Sequence, residues 1–403
     1  MRWDEASYAF ARRELRRAFG SRQLTSLKVD QVVEFTKLDR NSGLPSLGRK
    51  SDDVDRARKE ALDILHGKKT PPPCVAFYRT QVGKTRLVWG YPYAMTLLEG
   101  TIAVPVINDL RADSFCPYPV GHTGVGIGGR LVRSTWAPLQ YCTDWSKFDS
   151  TVPRRVIREA FSLIRSWFVD EEGRRKVDIV EDYFLHCGIL MPDGYVYTGR
   201  TRGIPSGSWL TQVVGSMCNY FLLMYIAHRV GDGIAPGVLV FGDDAVVPMY
   251  RLPKLRAWAK EAEALGMTIH PEKQVITHGK PHFLGHFWEG AFATRPIEET
   301  LQALATSERY QRFASKEEFL KWNIDKAKAL IIDNPAAYHL LVKYIAWRLR
   351  WSVVHTYRML SISRLAVHTP VRTGFMQSVG DIDLRVGDPK EPPRNFVLQR
   401  ILH

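Results

Sequence analysis

The run Val238-Leu239-Val240-Phe241-Gly242-Asp243-Asp244-Ala245-Val246-Val247 sets two adjacent carboxylates between two apolar, largely β-branched stretches. This pattern predicts a buried hairpin with Gly-Asp-Asp at its turn. Two neighbouring aspartates between core strands repel each other and resist losing water, so something cationic should compensate them. A divalent metal would do so economically. An ordinary Gly-Asp turn with solvated acids would carry the same residues, so the choice depends on what else the chain supplies.

The first supply lies upstream, in Leu139-Gln140-Tyr141-Cys142-Thr143-Asp144-Trp145-Ser146-Lys147-Phe148-Asp149. A short strand delivers Asp144 at its end, and Asp149 follows five residues later. Val152-Pro153 then starts a helix with Ile157, Ala160, Phe161, Ile164 and Phe168 on one face. If the two strands are neighbours in one sheet, Asp144 and Asp243 meet and together would hold two divalent ions.

Downstream of that helix, Gly203-Ile204-Pro205-Ser206-Gly207-Ser208 is a Gly/Pro loop that feeds a helix without a charged residue from Ser208 to Ala227. Thr211, Gln212, Ser216 and Asn219 break its apolar run, which marks a buried enzyme helix rather than a membrane span. Thr211 and Asn219, eight residues apart, share a face. Inside a core they need partners. A ribose hydroxyl is one, and reading a 2′-OH separates RNA precursors from DNA precursors; neighbouring backbone is the other.

Between Pro73 and Trp89, two strands flank a basic loop, and Arg79, Lys84 and Arg86 on them could converge on one phosphate chain. A solvated basic hairpin reads the same way. Gly121 to Gly129 contains a formal G-x-G-x-x-G match. Cys116-Pro117-Tyr118-Pro119 precedes it and no helical pattern follows over Arg130–Pro138, so it is read as a flexible loop rather than a dinucleotide site. Arg40-Asn41-Ser42-Gly43-Leu44-Pro45 is a turn-rich loop beside Arg49 and Lys50. Lys273, in Pro271-Glu272-Lys273, could act as an acid toward a leaving phosphate or be a surface lysine.

Composition narrows the class. The 403 residues are 45% hydrophobic, enough for a large core in two or three subdomains, and the net charge of +14 favours a polyanion such as nucleic acid as partner. Five cysteines without a C-x-x-C pair indicate neither a disulfide framework nor a zinc site, and a reducing compartment fits. Met1-Arg2-Trp3-Asp4-Glu5 lacks the apolar core of a signal peptide, so secretion is not expected. Residues 290–403 read as mainly helical, starting one helix at Asn334-Pro335 with Tyr338, Leu341, Val342, Ile345 and Leu349 on one face. Trp347, Trp351, Arg350 and Arg358 there suit nucleic-acid contact, and an extended tail follows Thr369-Pro370.

Taken in order, Gly43-Leu44-Pro45, Lys84-Thr85-Arg86, Asp144-Trp145-Ser146-Lys147-Phe148-Asp149, Pro205-Ser206-Gly207-Ser208 with Thr211 and Asn219, and Gly242-Asp243-Asp244 resemble the viral RNA-dependent RNA polymerases. Within them the chain looks most like the partitivirus and picobirnavirus group of double-stranded RNA viruses. The resemblance covers roughly residues 42–288. It implies an α+β right hand: fingers over 1–137 and 153–200, a palm with an antiparallel sheet over 138–152 and 201–289, and a helical thumb and tail over 290–403. It implies that Asp144, Asp243 and Asp244 ligate two Mg²⁺ ions, with Mn²⁺ as a substitute, and that Lys273 is the general acid. Arg79, Lys84 and Arg86 would grip the incoming NTP. Asp149, Ser206, Gly207, Thr211 and Asn219 would contact substrate and sense its ribose, and Ser42, Gly43 and Pro45 would line template entry. Partners would be RNA template and product duplex, NTPs and a viral coat protein, within a particle in the host cytoplasm and without a membrane. One departure stands out: many positive-strand polymerases place Asn four residues after the helix Thr, where this chain has Gly215.

Two other activities share parts of this pattern. A reverse transcriptase has the same palm chemistry but usually blocks the 2′-OH, whereas here Gly242 directly precedes Asp243 and Asp149 with Asn219 would accept that hydroxyl. A catalytically inactive RNA-binding virion protein would not need Asp144, Asp243, Lys84 and Arg86 intact.

Overall fold

The computed structural model describes residues 3–81, 84–121, 124–290, 292–305, 313–334 and 337–360. The expected C-terminal tail lies outside them. The chain opens with α1 (Glu5–Phe19), the short α2 (Val29–Val32), α3 (Val54–Leu65), the hairpin β1 (Cys74–Gln81) and β2 (Lys84–Gly90), and the long α4 (Tyr93–Ala112). Next come α5 (Gly124–Ser134), β3 (Leu139–Thr143), β4 (Trp145–Ser146), the single turn α6 (Phe148–Thr151), α7 (Arg154–Trp167), α8 (Glu171–His186), β5 (Ile189–Leu190), β6 (Val196–Tyr197) and α9 (Thr211–Val230). Then follow β7 (Leu239–Phe241), β8 (Asp244–Met249), α10 (Leu255–Ala264), β9 (Thr268–Ile269), β10 (Val275–Thr277), β11 (His282–Phe283), β12 (His286–Glu289) and β13 (Phe292–Thr294). The helices α11 (Ile297–Ala305), α12 (Lys316–Asp333), α13 (Tyr338–Leu349) and α14 (Val353–Met359) complete the described chain.

The element that positions everything else is an antiparallel sheet in the order β10-β3-β8-β7. Its inner strands are buried on both faces: every residue of β3 and all of β8 after Asp244 lie in the core. That burial explains the continuous apolar runs, which an open sheet would alternate with polar residues. Helix α9 packs beside β7, with α1 and α7 on its other sides, so it is apolar all round. Among the described residues, no helix is long and apolar enough to cross a membrane.

Three apolar clusters divide the molecule. The central one joins the sheet to α1, α7, α9 and α10; α1 and α7 therefore share the core of the expected palm, although the sequence boundaries place both with the fingers. A second cluster links α3 and the start of α4 to Cys74 and to Tyr183 of α8, beneath the sheet β2-β1-β5-β6. The third is helical, between Leu304 and Leu360. There Tyr338, Leu341, Val342 and Ile345 face inward as their spacing predicts, but the helix begins at Tyr338 rather than at Asn334, whose side chain instead reaches Arg295 and Thr300.

Two local expectations fail. The glycine-rich segment is not a loop: Gly124–Ser134 is helix α5, whose Ile127 and Leu131 insert into the central core. Burial of one face outweighs the helix cost of glycine, about 1 kcal/mol per residue. The spacing of Leu252, Leu255, Ala259, Ala262 and Leu265 suits one helix ended by Gly266, but Leu252 sits exposed before α10, and Trp258 joins Ala262 on its inward face.

Candidate active site

The two acidic segments meet at one end of the central sheet. Thr143 pairs with Ala245 across β3 and β8, so Asp144, the next residue, comes level with Asp244, which in turn pairs with Phe241. Gly242 and Asp243 form the two-residue turn between β7 and β8. Gly242 has φ +61 while Asp243 keeps a negative φ, the pattern of a type II′ turn, in which the first position suits glycine. The carboxylates are thereby presented from two neighbouring strands about 5 Å apart.

Helix α9 forms a socket for this turn. Ser216 Oγ accepts from the Gly242 amide at 2.8 Å, and Gln212 Oε1 lies so near that a Cβ on Gly242 would stand 2.6 Å from it. Asn219 Nδ2 donates toward the carbonyls of Gly242, Asp243 and Asp244 at 2.9, 3.0 and 3.4 Å, while its Oδ1 accepts from Trp145 Nε1 at 2.9 Å. Asn219 is fully buried. Expected to sense the ribose, it here has its amide engaged by the turn and by the residue after Asp144. Thr211 is likewise turned to backbone, its hydroxyl donating to the carbonyls of Pro205 at 2.6 Å and Ser208 at 2.9 Å. Helical spacing puts Gln212, Ser216 and Asn219 in one stripe, a signal legible in the sequence and missed in favour of the Thr211–Asn219 pair.

Electrostatically the site is an excess of negative charge at the floor of a cleft. Asp144, Asp149 and Asp243 still reach solvent. Burial pushes the Asp243 carboxyl up, and the Asp144 charge adds to that, against backbone hydrogen bonds and the nearby Arg86. Asp244 is raised by burial and then by Asp243 and Asp144. Asp149 is pushed up to about 6 by burial and by Asp243, with Arg86 opposing. Among the described residues, Arg86, exposed on β2, is thus a cation that acts on both Asp149 and Asp243. Its backbone pairs with Arg79 across the hairpin; the side chains of Arg79 and Lys84 lie outside the described part.

The loop before α9 is lashed to the same hairpin. Ser206 Oγ accepts from Trp89 N at 3.1 Å, and a Cβ on Gly207 would stand 1.7 Å from the Trp89 carbonyl oxygen, so only glycine fits there. Beneath it, the buried Glu99 of α4 accepts from Ser208 Oγ and, at 3.1 Å, from Trp209 N. Burial pushes the Glu99 carboxyl up to about 7. The sequence signal for Glu99 is that it is the one charged residue between Arg86 and Asp109, which marks it as buried and in need of partners without naming them.

Of the expected template-entry residues, Ser42 is fully buried with its carbonyl accepting from Tyr93 N, and Gly43 lies against the Tyr91 backbone; Pro45 is exposed. Ser42 and Gly43 therefore seat the loop rather than line an opening. Lys273 is exposed in the turn Pro271–Lys273 and is not joined to the acids by a described contact. Trp347 is 75% exposed, whereas Trp351 packs on the helical cluster.

No three His, Cys, Asp or Glu side chains among the described residues already stand as a closed metal cage. The donor chemistry still fits a hard divalent cation: oxygen ligands only, from adjacent strands, with protonation favoured by burial and then by unrelieved mutual repulsion.

A family model described as viral RNA-dependent RNA polymerase matches residues 77–347, more than half of the chain, and the chain belongs to that family. Among solved structures, the crystal structure of the RNA-dependent RNA polymerase of a human picobirnavirus has a TM-score of 0.73, covering 95% of this chain and 75% of that one at 17% identity. The likeness is one of fold, the right hand of fingers, palm and thumb. Among curated proteins, the RNA-directed RNA polymerase of Cryptosporidium parvum virus 1 is 30% identical over 189 residues, 44% of this chain and 34% of that protein. The RNA-directed RNA polymerase of Atkinsonella hypoxylon virus is 28% identical over 319 residues, 64% of this chain and 48% of that one. The chain thus matches a third to a half of the length of these relatives.

Proposed function

We propose that this chain is an RNA-templated RNA polymerase that replicates and transcribes a viral double-stranded RNA genome from NTPs, releasing pyrophosphate. The observation that carries the reading is the convergence of Asp144 from β3 with Asp243 and Asp244 from the β7–β8 turn, with Arg86 as a nearby cation. Asp144 and Asp243 would hold two divalent ions, Mg²⁺ or in its place Mn²⁺, with Asp244 as a further ligand. When bound, such ions favour deprotonation of the primer 3′-OH and stabilise charge on the triphosphate. In the reaction the 3′ oxygen forms a bond to the α-phosphorus as the bond to the pyrophosphate oxygen breaks. Arg86, with Arg79 and Lys84, would orient the triphosphate and offset charge moving onto the leaving group. Lys273 would give that group a proton.

With Asn219 and Thr211 committed to backbone, Asp149 is the expected ribose-contacting group that stays open to the cleft, and Ser206 and Gly207 border it on the loop. A viral coat protein as partner, and action inside a particle in the host cytoplasm, rest on the likeness to polymerases of double-stranded RNA viruses. The test is primer extension on a short RNA template with Mg²⁺, with NTPs or dNTPs supplied separately and Asp243→Ala alongside. NTP extension abolished by the substitution is expected. Preference for dNTPs would indicate a reverse transcriptase, and RNA binding without extension an inactive virion protein.

A further inference from the structure

We infer that Gln274 is a positioning residue of the polymerase site: its carboxamide fixes the peptide of Asp144 and ties it to the turn that carries Lys273. Gln274 Oε1 accepts from Asp144 N at 3.1 Å and from Tyr141 Oη at 3.0 Å. Its Nε2 donates to Asp144 O at 3.0 Å and to His270 O at 3.1 Å. Both lone pairs and both hydrogens of the amide are therefore used, and turning the amide over would set donor against donor at Asp144 N and acceptor against acceptor at Asp144 O and His270 O.

The place of Gln274 in the sheet explains the arrangement. β10 pairs with β3 from Thr277↔Gln140 to Val275↔Cys142 and then stops. Beyond that point the Gln274 side chain takes over, meeting the N–H and C=O of Asp144 much as a neighbouring strand would. The backbone of Asp144 is held on this side while β8 holds Thr143 on the other. The Asp144 carboxylate is left to the cleft. The bond to His270 O closes the turn Pro271–Lys273, so one amide joins the candidate general acid's turn to the strand end that bears a candidate metal ligand. Partners that orient a ligating carboxylate typically change metal affinity or activity by about 10–100-fold when removed.

This inference rests on the polymerase reading, so the experiment separates the two. Primer extension is measured against Mg²⁺ concentration for the full chain, Asp144→Asn, Gln274→Met and Gln274→Asn, with RNA affinity and melting temperature recorded for each. Methionine keeps the length and loses all four bonds; asparagine keeps the amide but is one methylene too short to span both Asp144 groups. Both Gln274 variants are expected to lose about tenfold or more in kcat and to need several-fold more Mg²⁺ for half-maximal rate, with RNA affinity within about twofold of the parent. Folded variants with the parent's rate and Mg²⁺ dependence would overturn the role of Gln274 and leave the polymerase reading intact. Melting of both variants below the assay temperature would make Gln274 a stability residue and also overturn it. A parent that extends no primer, or an Asp144→Asn variant as active as the parent, would instead overturn the polymerase reading itself.

Discussion

Two hairpins face each other across the cleft, and they are built in opposite ways. The acidic one, β7–β8, is buried along both strands and its turn is gripped by Ser216 and Asn219 of α9. The basic one, β1–β2, ends in an edge strand and exposes Tyr78, Leu87 and Arg86. Carboxylates that must bind metal at one spot need a fixed backbone, because their mutual repulsion would otherwise spread them. An arginine on a long stem needs only to reach a polyphosphate, and an exposed strand presents it without a desolvation cost. The negative side of the site is thus placed by packing and the positive side by reach.

The contrast is broken most severely by Asp243→Asn. It should lower the extension rate by about 10³-fold, since metal-assisted stabilisation is worth several kcal/mol. It should also raise the melting temperature, because Asp244 and Asp149 lose a repelling neighbour. Calorimetry and extension assays on one preparation would check both; a variant that is less stable as well as inactive would mean that the turn is not under charge repulsion.

Asn219→Leu tests the placing of the acids by packing. It leaves the carbonyls of the turn and Trp145 Nε1 without their partner, and about 2–4 kcal/mol of stability should be lost in urea unfolding. Discrimination between NTP and dNTP among surviving active molecules should stay close to the parent's. A selective gain in dNTP use would restore a ribose-sensing role for Asn219.

Arg86→Gln probes the other hairpin. The expected result is about a 10–100-fold fall in kcat/KM for NTP with stability within about 0.5 kcal/mol of the parent. An equal loss of stability would show that Arg86 is part of the fold rather than a reaching group.

The smallest effect concerns Glu99, under the loop that joins the two sides. Its carboxyl rises from the ordinary 4.5 to about 7 in the folded chain. The folded state therefore holds the proton more tightly, and this contribution to stability is complete below pH 4.5 and fades as pH rises toward 7 and beyond. Glu99→Gln should flatten the fall of unfolding free energy between pH 5 and pH 8, a difference on the order of 1–3 kcal/mol. An unchanged slope would mean that other groups set it.

The sequence by itself determined the acidic turn, the strand that delivers Asp144, the uncharged helix and the order of motifs that marks the family. These are local patterns: an apolar run broken by Gly-Asp-Asp or by a single Asp carries its meaning in adjacent residues. The glycine-rich helix α5 escaped because a weak helix former obeys the core it packs on, not its own propensity. What only the tertiary structure decided is which polar side chains face the cleft and which serve the backbone. Asn219 and Thr211 look like substrate contacts until the turn and the Pro205 carbonyl are seen to claim them. Gln274 looks ordinary and Glu99 merely isolated until their partners, 130 and 109 residues away, are brought alongside. A buried polar group must be satisfied, but its sequence does not say by whom; only the packing that removes its water names the partner.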